Sequence, residues 1–161
     1  MHWDAVIEFP KMKVAVATRE GRVAGIRYLP LSAESKAPQN ALAERAARQI
    51  ERYRDDPDTK FDLPLLIEGT DFQRRVWDAM CAIPRGRTLT YGEMARKLDG
   101  DARAVGQACG DNKLPIVIPC HRVVAASGIG GFSHSTGGYL LEAKRWLLMH
   151  ESSADAFELR P

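Results

Sequence analysis

Pro119-Cys120-His121-Arg122 places a thiol beside an imidazole and a guanidinium. A thiol reacts as its thiolate, and neighbouring cations or bases lower the pKa that governs that form. Cys120 is therefore read as a reactive nucleophile. The competing reading of any free cysteine is a small buried hydrophobe, and Cys81, inside a helical stretch, and Cys109, at a helix end, are read that way. If the chain is extended here, Cys120 and His121 point to opposite faces. His121 then serves as a base only if the chain bends or a water bridges the two. A third group must orient the imidazole, and His150-Glu151 offers a carboxylate. Local residues alone leave both readings of Cys120 open.

Other chemistries find less support. Three cysteines at wide spacing, with no Cys-x-x-Cys pair, argue against a disulfide framework. His2, His121, His134 and His150 lack zinc-ligand spacing, so no metal is expected. No run approaches the roughly 18 apolar residues of a membrane span. Met1-His2-Trp3-Asp4 lacks the pattern of a secretory signal, which points to the cytoplasm. The net charge is only +2, but residues 72–98 hold six basic side chains (Arg74, Arg75, Arg85, Arg87, Arg96, Lys97) against Asp78 and Glu93. Such a field suits a polyanion, although on charge alone a solvated helical surface is the preferred reading.

The elements that must position these groups follow from patterning in the 161 residues. Residues 13–29 read as a hairpin turning at Arg19-Glu20-Gly21-Arg22. Ala41 to Arg54 is helical, with Leu42, Ala46, Ile50 and Tyr53 on one stripe. Phe61, Leu63 and Leu65 alternate as a third strand, placed at an edge by Pro64. Thr70-Asp71-Phe72-Gln73 is a capping box opening a helix with Phe72, Val76, Trp77 and Met80 inward, and Thr90-Tyr91-Gly92-Glu93 is a second. Asp101 caps a third helix, so Asp99-Gly100 joins a helix-turn-helix. Arg103, Gly106, Gln107 and Gly110 share one face of its second helix. A face that small lets the backbone lie close to a partner, or to another helix. Pro115 to Pro119 reads as an apolar β-like run, Val123-Val124 as extended, Tyr139 to Glu151 as an amphipathic helix, and residues 152–161 as a frayed tail. The expected class is α+β. A small N-terminal α/β domain with a three-stranded antiparallel sheet (1–68) precedes a mainly helical domain with a winged-helix-like helix-turn-helix (69–151).

Ile118-Pro119-Cys120-His121-Arg122-Val123-Val124 resembles the active-site signature of the O6-alkylguanine-DNA alkyltransferases, the methylated-DNA–protein-cysteine methyltransferases. The likeness extends through Phe72-Gln73-Arg74-Arg75-Val76-Trp77, Ile83-Pro84-Arg85-Gly86, Thr90-Tyr91-Gly92, Arg103-Ala104-Val105-Gly106, Asn112, Gly131-Phe132-Ser133 and Lys144-Arg145-Trp146-Leu147-Leu148. It implies a DNA-repair protein acting by direct reversal. The protein flips an O6-alkylguanine (less readily an O4-alkylthymine) out of duplex DNA, and Cys120 takes the alkyl group irreversibly in a single turnover. It implies catalytic roles for Cys120, His121, Glu151 and Asn112. Tyr91, Lys144, Ser133 and Val123 would meet the base. Ala102, Arg103, Gly106, Gln107 and Arg122 would meet DNA in the minor groove, with Arg103 filling the gap left by the flipped base. No cofactor is implied, and the protein is expected to act as a monomer. The loop Gly131 to Gly138 is longer than in many members.

Three rivals remain. A non-catalytic reader of alkylated guanine would lack the cysteine. A cysteine hydrolase needs an oxyanion hole and direct His–sulfur contact. A sequence-specific transcription factor needs more base-reading side chains than Arg103 and Gln107 provide.

Overall fold

The computed structural model describes residues 2–130 and 138–152. The chain divides into two compact units, Met1–Ile67 and Glu68–Pro161. Among the described residues there are three antiparallel strands in one sheet, a two-stranded pairing and five α-helices.

In the first unit, β1 (Ala5–Glu8), β2 (Lys13–Arg19) and β3 (Arg22–Leu29) form an antiparallel sheet in that order. Glu20 and Gly21 both take left-handed φ, 53° and 75°, which matches the twist of a two-residue hairpin turn. Helix α1 (Ala41–Asp55) starts where the Asn40 side chain accepts from the Ala43 N–H at 2.8 Å. It buries Ala43, Ala46, Ala47, Ile50 and Tyr53 and packs on β1 and β2.

The sheet's third strand is not the expected one. Residues 61–65 make only an isolated parallel bridge, Leu65 to Val23, with the Pro64 carbonyl accepting from Val23 at 2.8 Å. Phe61 turns onto Tyr53, ring centroids 5.8 Å apart. The strand is instead Ala5–Glu8. Three of its four residues are buried, so it lacks the one-sided alternation that marks a half-exposed strand.

In the second unit, α2 (Asp71–Cys81) and α3 (Tyr91–Leu98) both open with complete capping boxes, Thr70 with Gln73 and Thr90 with Glu93. Strand β4 (Leu89–Thr90) leads into α3. Asp99 closes α3 in the left-handed region, and Asp101 caps α4 (Ala102–Gly110) by accepting from Ala104. Trp77 of α2 is buried and donates its indole N–H to the Ala108 carbonyl at 2.9 Å, tying α2 to α4. Strand β5 (Val123–Val124) pairs parallel to β4, and α5 (Gly138–Glu151) follows.

Two local expectations fail here. Cys81 is exposed, because α2 buries only Val76, Trp77 and Met80 and position 81 falls outside that stripe. Pro115 to Pro119 is not extended. Ile116 takes a φ of 73°, and Ile118 N–H returns to the Leu114 carbonyl at 2.9 Å, so the segment folds as a turn. Among the described residues, no helix is long and apolar enough to cross a membrane.

Candidate active site

The turn that replaces the expected strand aims the thiol. Asn112 braces it at both ends: its side-chain N–H donates to the Ile118 carbonyl at 2.9 Å, and its oxygen accepts from Leu114 at 2.9 Å. Pro119 then sits at φ −82°, ψ 68°, with the Cys120 N–H bonded to the Ile118 carbonyl at 2.8 Å. That is an inverse γ-turn, which proline's fixed φ favours. Cys120–Arg122 continues as one 3-10 turn. The bend replaces the strict alternation of a strand with a turn of about three residues.

Cys120 is 5% exposed. Burial raises its thiol pKa, and it outweighs a hydrogen bond from Asn112 and the positive charge of Lys144, which act the other way. The sequence suggested the opposite direction, from the cationic neighbours; desolvation prevails because the sulfur has left water. The resting group is a thiol and needs a base.

His121 is fully buried. Its Nε2 lies 2.7 Å from Oε2 of Glu151, while its Nδ1 meets no hydrogen-bond partner among the described residues. Burial alone would raise the Glu151 carboxyl pKa, but His121 and Arg122 outweigh it and hold the group well below the usual carboxylate range. An ionised carboxylate only accepts, so the proton of this contact sits on Nε2.

Lys144 is fully buried on α5, although charge patterning alone would face it to solvent. Its ammonium donates to the Val123 carbonyl at 2.9 Å and lies 5.9 Å from the centre of the Tyr91 ring. Burial lowers its pKa from 10.5 to about 8, against the opposing pull of Cys120 and Cys109. Tyr91, half-buried at the start of α3, is pushed up to about 12, first by burial and then by the same two sulfurs. Cys109 is therefore a near neighbour of the site, and burial raises its thiol pKa also.

The structure thus brings Cys120, His121, Glu151, Asn112, Tyr91, Lys144 and Val123 together. Ala102, Arg103 and Gln107 form a separate exposed face on α4, with Gly106 half-buried among them. A Cβ added at Gly106 would meet nothing within 4 Å, so helix–helix packing does not explain this glycine. Ser133 lies outside the described residues. Arg122, expected among the DNA contacts, is engaged within the protein. Its guanidinium turns inward, onto Glu151 and the Ile83 carbonyl, in a charge-assisted pairing with the buried carboxylate.

Sequence reasoning gave no role to two further residues. Arg85 donates to the Glu151 carbonyl at 2.5 Å; its signals were its basic charge and its place in the Ile83-Pro84-Arg85-Gly86 motif. Gly130, at φ 74°, lies where a Cβ would stand 3.2 Å from the Tyr91 ring. The run Ser127-Gly128-Ile129-Gly130-Gly131 reads as a flexible loop, and that was its only mark.

Residues 71–153 match the family model described as 6-O-methylguanine DNA methyltransferase, DNA binding domain. The chain is similar to the methylated-DNA–protein-cysteine methyltransferase of Methanosarcina barkeri, at 35% identity over 161 residues, covering 95% of this chain and 98% of that protein. It is 46% identical over 93 residues to the regulatory protein ada of Salmonella typhimurium, 56% of this chain but only 26% of that one. A crystal structure of Mycobacterium tuberculosis OGT in complex with DNA superposes with a TM-score of 0.78 at 35% identity, covering 95% of this chain and 94% of that chain.

Proposed function

This chain belongs to the family of methylated-DNA–protein-cysteine methyltransferases, and on that premise we propose that it repairs O6-alkylguanine in duplex DNA by moving the alkyl group onto Cys120. One observation carries the reading: a buried thiol is followed directly by a buried imidazole, one nitrogen of which is held by Glu151 while the other meets no hydrogen-bond partner among the described residues.

The thiol proton passes through a water to Nδ1 of His121. The sulfur attacks the alkyl carbon in line, the S–C bond forms, and the C–O6 bond breaks with its electron pair going to guanine. A proton returns to the base, so guanine is restored and a thioether remains on Cys120. Tyr91, held protonated at neutral pH, and the Lys144 ammonium donate toward the charge that develops on the leaving base. Such donors act most strongly where water is excluded. Val123 presents its carbonyl to the exocyclic amine, and Ser133 meets O6. The alkyl group arrives with the substrate, so no cofactor takes part. Thioethers resist hydrolysis, so each molecule acts once.

Reaching the buried sulfur requires the base to leave the stack, which costs a few kcal/mol. Exposed Arg103 fills the vacated space, and the small α4 face around Ala102, Gly106 and Gln107 lies in the minor groove. O4-alkylthymine reacts less readily by the same route. The protein works as a cytoplasmic monomer.

Incubation with duplex DNA bearing O6-methylguanine, followed by intact mass measurement, tests this reading. One methyl group on Cys120 per lesion repaired is expected, and Cys120→Ser should bind DNA but take up none. Repeated turnover, or repair without an adduct, overturns the proposal.

A further inference from the structure

We infer that Arg122 is a positioning residue for this transfer: its guanidinium fixes Glu151 as a carboxylate facing His121 and so selects the imidazole nitrogen that receives the thiol proton. The inference rests on the function proposed above.

Arg122 approaches Glu151 as a fork. Its Nε donates to Oε1 at 2.8 Å and its Nη2 to Oε2 at 3.1 Å. Its Nη1 donates to the Ile83 carbonyl at 2.6 Å, just beyond α2. The side chain is 14% exposed and that of Glu151 2%. Arg85 holds the same glutamate by its main chain. Glu151 is thus fixed from both ends, by residues from two separate segments.

The His121–Glu151 contact cannot by itself settle where the protons lie. A protonated Glu151 could donate to Nε2, which would leave the proton on Nδ1 and no base facing the thiol. The alternative is a carboxylate accepting from Nε2–H. Both arrangements make one hydrogen bond across the same 2.7 Å, and burial of the carboxyl favours the first. Arg122 decides between them, because a guanidinium has donors only and never loses its charge. Two parallel N–H groups need two acceptor oxygens, which only the ionised carboxylate offers. Arg122 also makes the Arg–Glu pair neutral overall, so the carboxylate does not stand as a lone negative charge that would draw a second proton onto the imidazole.

The test uses Arg122→Gln and Arg122→Lys in the full chain, with three readouts. Transfer to Cys120 from a free O6-benzylguanine-type base isolates the chemistry from DNA binding. Affinity for undamaged duplex reads the alternative role. Nitrogen-15 long-range correlation of the imidazoles, with His121 assigned by His121→Asn, reads the tautomer directly. Arg122→Gln is expected to slow transfer at least about ten-fold, part of the 100-fold or more that a positioned base contributes. It should replace a single Nε2–H tautomer with a mixture and leave duplex affinity within about two-fold; Arg122→Lys should fall between the two proteins. Should the Gln variant not fold, the Lys variant carries the same three readouts. An unchanged rate, or an unchanged single tautomer, overturns the inference while a methylated wild-type Cys120 keeps the proposed function standing. Lost duplex affinity with normal transfer to the free base would return Arg122 to the DNA contacts. A wild-type protein that never accepts the methyl group removes both.

Discussion

Replacing Lys144 by Met isolates the cost of burying a cation at the site. The lysine is fully buried, and its pKa falls from 10.5 to about 8. At 1.36 kcal/mol per pKa unit, keeping it charged in the fold costs about 3 kcal/mol. The sign follows from proton counts. Between about 8 and 10.5 the unfolded chain holds more protons at this residue than the folded one, so wild-type stability gains as pH rises through that window. Below about 8 the full cost is present. Methionine has a similar length and does not titrate. The Lys144→Met variant should therefore gain on the wild type at pH 7 and lose about 1.4 kcal/mol of that advantage by pH 9. Its absolute stability also reflects the Val123 carbonyl, which loses its lysine donor at a cost of about 1–3 kcal/mol. That second contribution does not vary with pH, so the slope is the clean measurement. Urea unfolding of both proteins at pH 7, 8 and 9, with matched m-values, reads it directly. Loss of the Lys144 charge raises the already elevated thiol pKas of Cys109 and Cys120 further, so the folded forms of both proteins keep these thiols protonated over this range, as they do Tyr91. A stability difference that stays flat from pH 7 to 9, or that grows, would refute the assignment of a desolvated ammonium at this position. The same variant should transfer alkyl groups slowly, because the leaving base loses a charged donor.

Three further substitutions probe other parts of the second unit. Gly106→Ala should stabilise the protein by up to about 1 kcal/mol, since the added methyl enters open space on a helix; thermal unfolding reads that gain, and weaker duplex binding is expected with it. Gly130→Ala forces a side chain into a φ of 74° and sets its Cβ 3.1 Å from the Ala125 nitrogen and 3.2 Å from the Tyr91 ring. It should cost at least about 1 kcal/mol and slow transfer to the free base, while the variant at Gly106 leaves that rate alone. Trp77→Phe removes the donor to the buried Ala108 carbonyl, and denaturant unfolding should register a loss of about 1–3 kcal/mol. An unchanged midpoint there would mean that α4 is not held through this bond.

Local signals were legible where one short rule governs. The capping boxes at Thr70 and Thr90 and the Asp101 cap each need only side chains three residues apart, and the Glu20-Gly21 turn needs only its own φ preferences. The candidate site was legible as a set of residue types, because Cys120 and His121 are adjacent and Glu151 offered the nearby carboxylate. Its geometry was not. The Pro119 turn reads as a strand from composition, since Ile116, Val117 and Ile118 are β-formers, and only the Asn112 brace reveals the bend. Arg122 illustrates the limit most sharply: the resemblance suggests a DNA contact, and nothing local records its pairing with a buried carboxylate 29 residues away. The burial of Lys144 likewise depends on residues remote in sequence, whereas Ala5–Glu8 was missed because a mostly buried strand lacks alternation.

Glu151 meets an imidazole made 30 residues earlier, and that order has a consequence in time. At roughly 5–20 residues per second, a ribosome needs about 2 to 6 s to add the intervening chain. Throughout that interval Cys120 exists without its oriented base, and its nucleophilicity is no greater than an ordinary cysteine's. The base that activates the thiol is thus completed only when the final turn of α5 has been made.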